Sequence, residues 1–132
     1  MDAEWPGIAE PDFGNPAIRI PAMPKDANPN GDIFGGWLMG LMDMGAGMIA
    51  AGHARGRVVT IAMNGMVFHA PVKIGDEVSV YGRVDKIGRT SLTVTVEAWR
   101  RPIRTNENVK VTEAVFTFVA MDADGRPRPV ER

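Results

Sequence analysis

The chain has 132 residues, a formal net charge of −1 and no cysteine. That length fits one domain whose core needs neither disulfides nor metals. The lack of cysteine excludes a disulfide scaffold, thiolate metal sites and a cysteine nucleophile, and it suits a reducing cytoplasm. Balanced charge leaves no footprint for nucleic acid or an anionic membrane, although arginine outnumbers lysine and its planar fork suits phosphate oxygens.

Residues 1–16 carry acids and prolines where a secretory signal needs positive charge followed by an apolar run, so they read as a flexible arm without targeting function. Residues 17–132 read as the single folded domain. Ala17 to Met23 can form a short strand that Pro21 confines to a sheet edge. The stretch from Pro24 to Asp32, PKDANPNGD, is dense in turn formers and reads as a loop. Ile33 to Ala51 is apolar enough to raise the question of a membrane span. It holds Asp43 at its centre, however, and a carboxylate there costs about 2.5–3.5 kcal/mol. A buried helix from about Phe34 to His53 is the better reading, with Asp32 as its N-cap. Apolar residues on nearly every side imply a helix enclosed by protein. Gly40, Gly45 and Gly47 each disfavour helix by roughly 1 kcal/mol, which suggests very close packing.

After Arg57 the pattern changes to period two. Val58 to Phe68 reads as a strand interrupted at Asn64-Gly65. Val78, Val80, Gly82 and Val84 alternate with polar neighbours, as do Leu92, Val94, Val96 and Ala98, and the hairpin turn between the two runs falls at Lys86 to Arg89. A last strand, about Val109 to Met121, puts Ala114, Phe116, Phe118 and Ala120 on one face and ends at the Asp124-Gly125 turn. The order is strand, long helix, four antiparallel strands. One buried helix can satisfy such a sheet only if the sheet curls around it, so the fold class is α+β.

The run Asn28-Pro29-Asn30-Gly31-Asp32-Ile33-Phe34-Gly35-Gly36-Trp37, followed by Leu41-Met42-Asp43, resembles the helix start of the YciA-like bacterial acyl-CoA thioesterases. HARGRVVT from His53, MVFHAPVKIGDEV from Met66, GRTS from Gly88 and TEAVFTFV from Thr112 follow in that family's order, so the resemblance covers roughly residues 18 to 130. Asn64 stands where relatives carry an acid and Val67 where a polar residue is common, which leaves substrate preference open. The resemblance implies a hotdog fold, an antiparallel sheet wrapped around one long central helix. It also implies edge-to-edge homodimers often assembled as a trimer of dimers, and a site at the subunit interface that combines the helix aspartate, Asp43, with the loop asparagine, Asn28.

Thioester hydrolysis needs an activated nucleophile, a stabiliser for the oxyanion and a grip on the thiol's carrier. Asp43 is the only charged side chain inside the apolar helix and could serve as general base or attack directly; a purely structural carboxylate is the competing reading. Gly35 and Gly36 could offer first-turn N–H groups to an oxyanion, or simply permit a tight helix start. Gly36 and Asp43 lie about 10 Å apart along the axis, too far for one thioester carbon to touch both groups within a single protomer. Gly88-Arg89-Thr90-Ser91 and Arg57 offer arginine and backbone amides to the phosphates of coenzyme A, and Phe68 could line the acyl channel. The two histidines, His53 and His69, lack metal-ligand spacing, and neither metal nor cofactor is expected. A hydratase or dehydratase on this fold would need a histidine in the helix before its end. A non-catalytic acyl-CoA sensor would need an attached partner domain, for which residues 1–16 are too short.

Overall fold

The computed structural model describes residues 14–130. The arm expected over residues 1–16 falls outside them as far as Phe13. Strand β1 (Ile18–Pro21) and a single 3₁₀ turn (Pro24–Asp26) lead to helix α1 (Gly35–Ala54). Strands β2 (Val58–Asn64), β3 (Glu77–Ile87), β4 (Ser91–Arg101) and β5 (Val109–Ala120) follow. The five strands form one sheet in the order β1-β3-β4-β5-β2, each neighbouring pair antiparallel. The sheet curls around α1 as the resemblance implied, and Pro21 does lie in an edge strand.

The period-two residues supply the concave face. Val78 and Val80 from β3, Val94 and Val96 from β4, and Ala114, Phe116 and Phe118 from β5 pack on Leu38, Leu41, Met42, Ala46 and Ala50 of the helix. Full burial of a side chain such as Phe118, Leu38 or Met42 contributes roughly 1.5–3 kcal/mol. Small helix residues allow the close approach. A Cβ at Gly45 would lie 2.9 Å from Val80 Cγ1, whereas one at Gly47 would make ordinary contact with Phe118 at 3.6 Å. At Gly40 a Cβ would meet nothing within 4 Å, so only Gly45 bears out the close packing expected of all three.

Three expectations require correction. Asp32 is not the N-cap: Phe34 holds that position without a side-chain cap, and the Asp32 carboxylate pairs with Lys73 across the loop. The cause is the Asn28–Asp32 turn, which places Asp32 two residues ahead of the N-cap. The helix is also not enclosed on every side, because Gly36, Gly40, Met44 and Met48 form an exposed stripe at i, i+4 spacing. One chain's sheet wraps only part of the cylinder. Finally, the polar members of the alternating strands are not all solvated. Ser79, Tyr81, Glu97 and Trp99 are buried on the convex face, where Arg19 donates to Ser79 and Tyr81, Trp99 donates to Glu97, and Lys110 bridges Glu97 and Glu113.

The segment between β2 and β3 is fastened to the barrel mouth. Thr112 Oγ1 donates to the Val67 carbonyl at 2.6 Å, the His69 N–H donates to Val111 at 2.9 Å, and the Ile33 N–H donates to Val72 at 2.9 Å. These bonds bring residues 67–72 against the helix start.

Candidate active site

Asp43 leaves the helix beside β2. Its carboxylate is half-buried in a cleft of about 290 Å³ lined by Met39, Gly40, Thr60, Met63 and Phe116. The Thr60 hydroxyl donates to Oδ1 at 2.6 Å, and no arginine or lysine among the described residues forms an ion pair with this acid. The antiparallel pairing of Thr60 with Phe118 sets the height at which that hydroxyl meets the helix. One carboxylate oxygen is therefore held, beside a largely apolar cleft with room for water.

At the helix start, hydrogen bonding within the turn begins only with the Trp37 N–H to the Phe34 carbonyl at 3.1 Å. The N–H groups of Gly35 and Gly36 precede it, and no side chain caps them. Phe68 covers Gly35 so closely that a Cβ there would lie 3.4 Å from the ring. The two residues share a cleft of about 240 Å³ with Ile33, Phe34, Leu38, Ala70, Pro71 and Val72. Gly36 opens instead onto the exposed stripe with Trp37, Met44 and Met48. Gly35, Gly36 and Asp43 thus line three different clefts of a single chain, the last two adjoining at Gly40.

Asn28 is the centre of its own turn. Its Oδ1 accepts from the N–H groups of Asn30 at 2.9 Å and Asp32 at 3.1 Å, which leaves the amide nitrogen as a donor. It does not line the Asp43 cleft. Gly88 to Ser91 close the β3–β4 hairpin, with Gly88 N–H donating to the Ser91 carbonyl at 2.8 Å. Arg57 lies at the same end of the sheet. The Ala120 N–H donates to Thr90 and the Met121 N–H to Arg57, so the turn and Arg57 flank consecutive residues of one strand. Two strand spacings, about 10 Å, separate them across β5. Arg57 and Arg89 are both exposed.

The thioesterase superfamily profile matches residues 30–107, a span that includes the helix, β2, β3 and β4. The chain belongs to that superfamily. An uncharacterized acyl-CoA thioester hydrolase of Zymomonas mobilis is 54% identical over 114 residues, covering 86% of this chain and 76% of its own length. The acyl-CoA thioester hydrolase YciA of Escherichia coli is 46% identical over 123 residues, with 89% and 93% coverage. Among solved structures, an aspartate-to-alanine mutant of a hexameric broad-specificity acyl-coenzyme A thioesterase superposes with a TM-score of 0.86 at 47% identity, covering 90% of this chain and 88% of that one. The hotdog architecture and thioester hydrolysis stand with the superfamily.

Thr60 and Arg128 escaped the sequence reading. Thr60 lies inside the HARGRVVT segment, but periodicity alone does not reveal which strand residue meets Asp43. Arg128, described below, is distant in sequence from everything it touches. Among the described residues no group of three or more His, Asp or Glu side chains could hold a metal, and no helix is long and apolar enough to cross a membrane.

Proposed function

We propose that this chain hydrolyses acyl-coenzyme A thioesters with Asp43 as general base, at sites completed between copies of the chain. The observation that carries the reading is the Asp43 carboxylate, fixed by Thr60 in an apolar cleft and free of any basic partner among the described residues. Its second oxygen takes a proton from water, and the water oxygen attacks the thioester carbon. The carbonyl oxygen becomes an oxyanion, which the uncapped N–H groups at Gly35 and Gly36 stabilise together with the positive end of the helix. Collapse breaks the carbon–sulfur bond. The thiolate recovers the proton from Asp43, releasing a carboxylic acid and coenzyme A. No metal or cofactor enters the scheme.

The need for a second copy follows from the roughly 10 Å between Gly36 and Asp43 along the helix. The exposed stripe of Gly36, Gly40, Met44 and Met48 and the outer edge of β2 offer the surface for it. A homodimer would bring one subunit's helix start and Asn28 loop to the other's Asp43, and a trimer of dimers accords with the hexameric relative. Phe68 lines the acyl path, while Arg57 and the Gly88-Arg89-Thr90-Ser91 turn receive the phosphates. We assign residues 17–132 to one cytoplasmic catalytic domain without nucleic-acid or membrane partners.

Free-thiol release from acetyl-, butyryl- and palmitoyl-CoA tests the reading. Asp43→Asn should keep the wild-type melting temperature and lose hydrolysis by about 10²- to 10⁴-fold. Near-normal turnover in the folded variant refutes it. Mixing Asn28→Ala and Asp43→Asn subunits should restore part of the activity once exchange is verified; failure to complement places each site within one chain.

A further inference from the structure

The end of the described chain is pinned to the phosphate end of the site by one side chain. After β5 the backbone turns at residues 122–125. There Asp122 Oδ1 accepts from the N–H groups of Asp124 and Arg126, each at 2.9 Å. The chain then returns beside its own strand, with Met121 bridged to Pro127 and the Arg128 N–H donating to Ala120 at 2.9 Å. The Arg128 guanidinium spreads over three carbonyls. Nη2 donates to Ala54 at 2.9 Å, Nε to Met121 at 3.0 Å and Nη1 to Pro129 at 3.3 Å.

Each contact has a separate consequence. Ala54 is the last residue of α1, so its carbonyl is one of those a helix end leaves unsatisfied, and a cation there also opposes the dipole's negative end. Met121 is the residue whose N–H holds the Arg57 carbonyl at 2.9 Å. Two residues beyond Arg128, buried Val130 donates to the Arg89 carbonyl at 2.9 Å. One strap therefore fixes the backbone of the helix end, of Arg57 and of the Gly88–Ser91 turn. Arg55, Arg57 and Arg128 border the resulting cleft of about 460 Å³, in which Arg128 is engaged with carbonyls while the Arg55 and Arg57 side chains are exposed.

We infer that Arg128 is a positioning residue for the nucleotide end of the substrate: it holds the backbones that carry Arg57 and Arg89 at the spacing the phosphates require. The inference rests on the proposed role of those two arginines. A preformed backbone spares the ordering entropy that binding would otherwise cost, so its loss weakens the grip on the carrier more than it slows the reaction at the carbonyl.

The test compares kcat/KM for butyryl-CoA with that for butyryl-pantetheine, which lacks the nucleotide. Arg128→Ala should lower the ratio of the two values about five- to tenfold, the loss expected when a charge-assisted phosphate contact is misplaced. Gly56→Ala is an independent and milder variant, because its Cβ would lie 2.8 Å from Arg128 Nη2 and push the guanidinium off Ala54. It should lower the ratio in the same direction, with the loss in KM rather than kcat. Equal losses on both substrates, or no change in the ratio, overturn the inference when Arg57→Ala or Arg89→Ala still lowers it. If neither of those substitutions changes the ratio, the nucleotide-binding reading itself falls, and the role of Arg128 with it.

Discussion

Replacing Thr60 with valine removes one hydroxyl and almost nothing else. Thr60 is exposed on an edge strand, valine is at least as favourable in a strand, and the two side chains are nearly the same size. Thr60→Val should therefore leave the fold and melting temperature within experimental error. What is lost is the 2.6 Å hydrogen bond that holds Asp43 Oδ1. Bonds to charged groups contribute about 1.5–3 kcal/mol, and the half-buried setting of Asp43 places this one near the lower end. At 1.4 kcal/mol per factor of ten, a carboxylate that must find its orientation unaided should cost kcat about 10- to 30-fold, with a small effect on KM. Steady-state release of free thiol from butyryl-CoA measures both parameters. Thr60→Ser, which retains the hydroxyl, should recover most of the rate. A Thr60→Val enzyme within twofold of wild-type kcat would show that the hydroxyl does not orient Asp43 for catalysis.

Two further substitutions probe the packing and the convex face. Gly45→Ala should destabilise the protein by up to about 2 kcal/mol net in denaturant titration, because an overpacking cost of about 1–3 kcal/mol against Val80 exceeds the roughly 1 kcal/mol gain in helix propensity. Gly47→Ala, whose Cβ meets Phe118 at an ordinary 3.6 Å, should be neutral or stabilising. Lys110 tests the half-buried ion pair with Glu97. Burial lowers the pKa of its ammonium, but the hydrogen bonds it donates to Glu97 and Glu113, and their charges, outweigh that, for a net rise above the ordinary 10.5. The folded chain thus holds this proton more tightly than the unfolded one, and the associated stability is complete below pH 10.5 and disappears as pH climbs through the higher folded value. The melting-temperature gap between wild type and Lys110→Met should accordingly narrow only above pH 10.5. At neutral pH that variant should lose roughly 1–3 kcal/mol, since Glu97 keeps its bond from Trp99, and adding Glu97→Gln should restore part of it.

Hydrophobic period was the most legible feature of the sequence. A single apolar run with one carboxylate, followed by four alternating segments, was enough to place α1 and β2 to β5, although β2 ends at Asn64 and does not resume to Phe68, because burial on one face imposes that pattern on the side chains themselves. The helix N-cap was not legible, since the Asn28–Asp32 turn sets a good capping residue two positions short of it, where it pairs with Lys73, forty-one positions downstream. Nor could the pattern show that Met44 and Met48 lie exposed: an apolar residue on the open side of the helix reads the same as one in the core. At the site, Asp43, Gly35 and Gly36 were legible as a charge out of place and glycines at a helix start. Thr60 and Arg128 were not, since their meaning lies in a strand register and a returning chain end that local patterns do not encode.

The sheet order has a consequence for how the protein acquires its activity. β3, β4 and β5 are joined in sequence and pair with their immediate neighbours, so this meander closes only short loops. β2, which carries Thr60, precedes β3 in the chain but pairs with β5, across a loop of more than forty residues. Joining distant segments costs more entropy and delays their contacts. β2 therefore joins the meander by a long closure, as β1 does to β3, and the proposed base Asp43 meets its threonine only once that closure is made, so a chain with most of its secondary structure in place is not yet an enzyme.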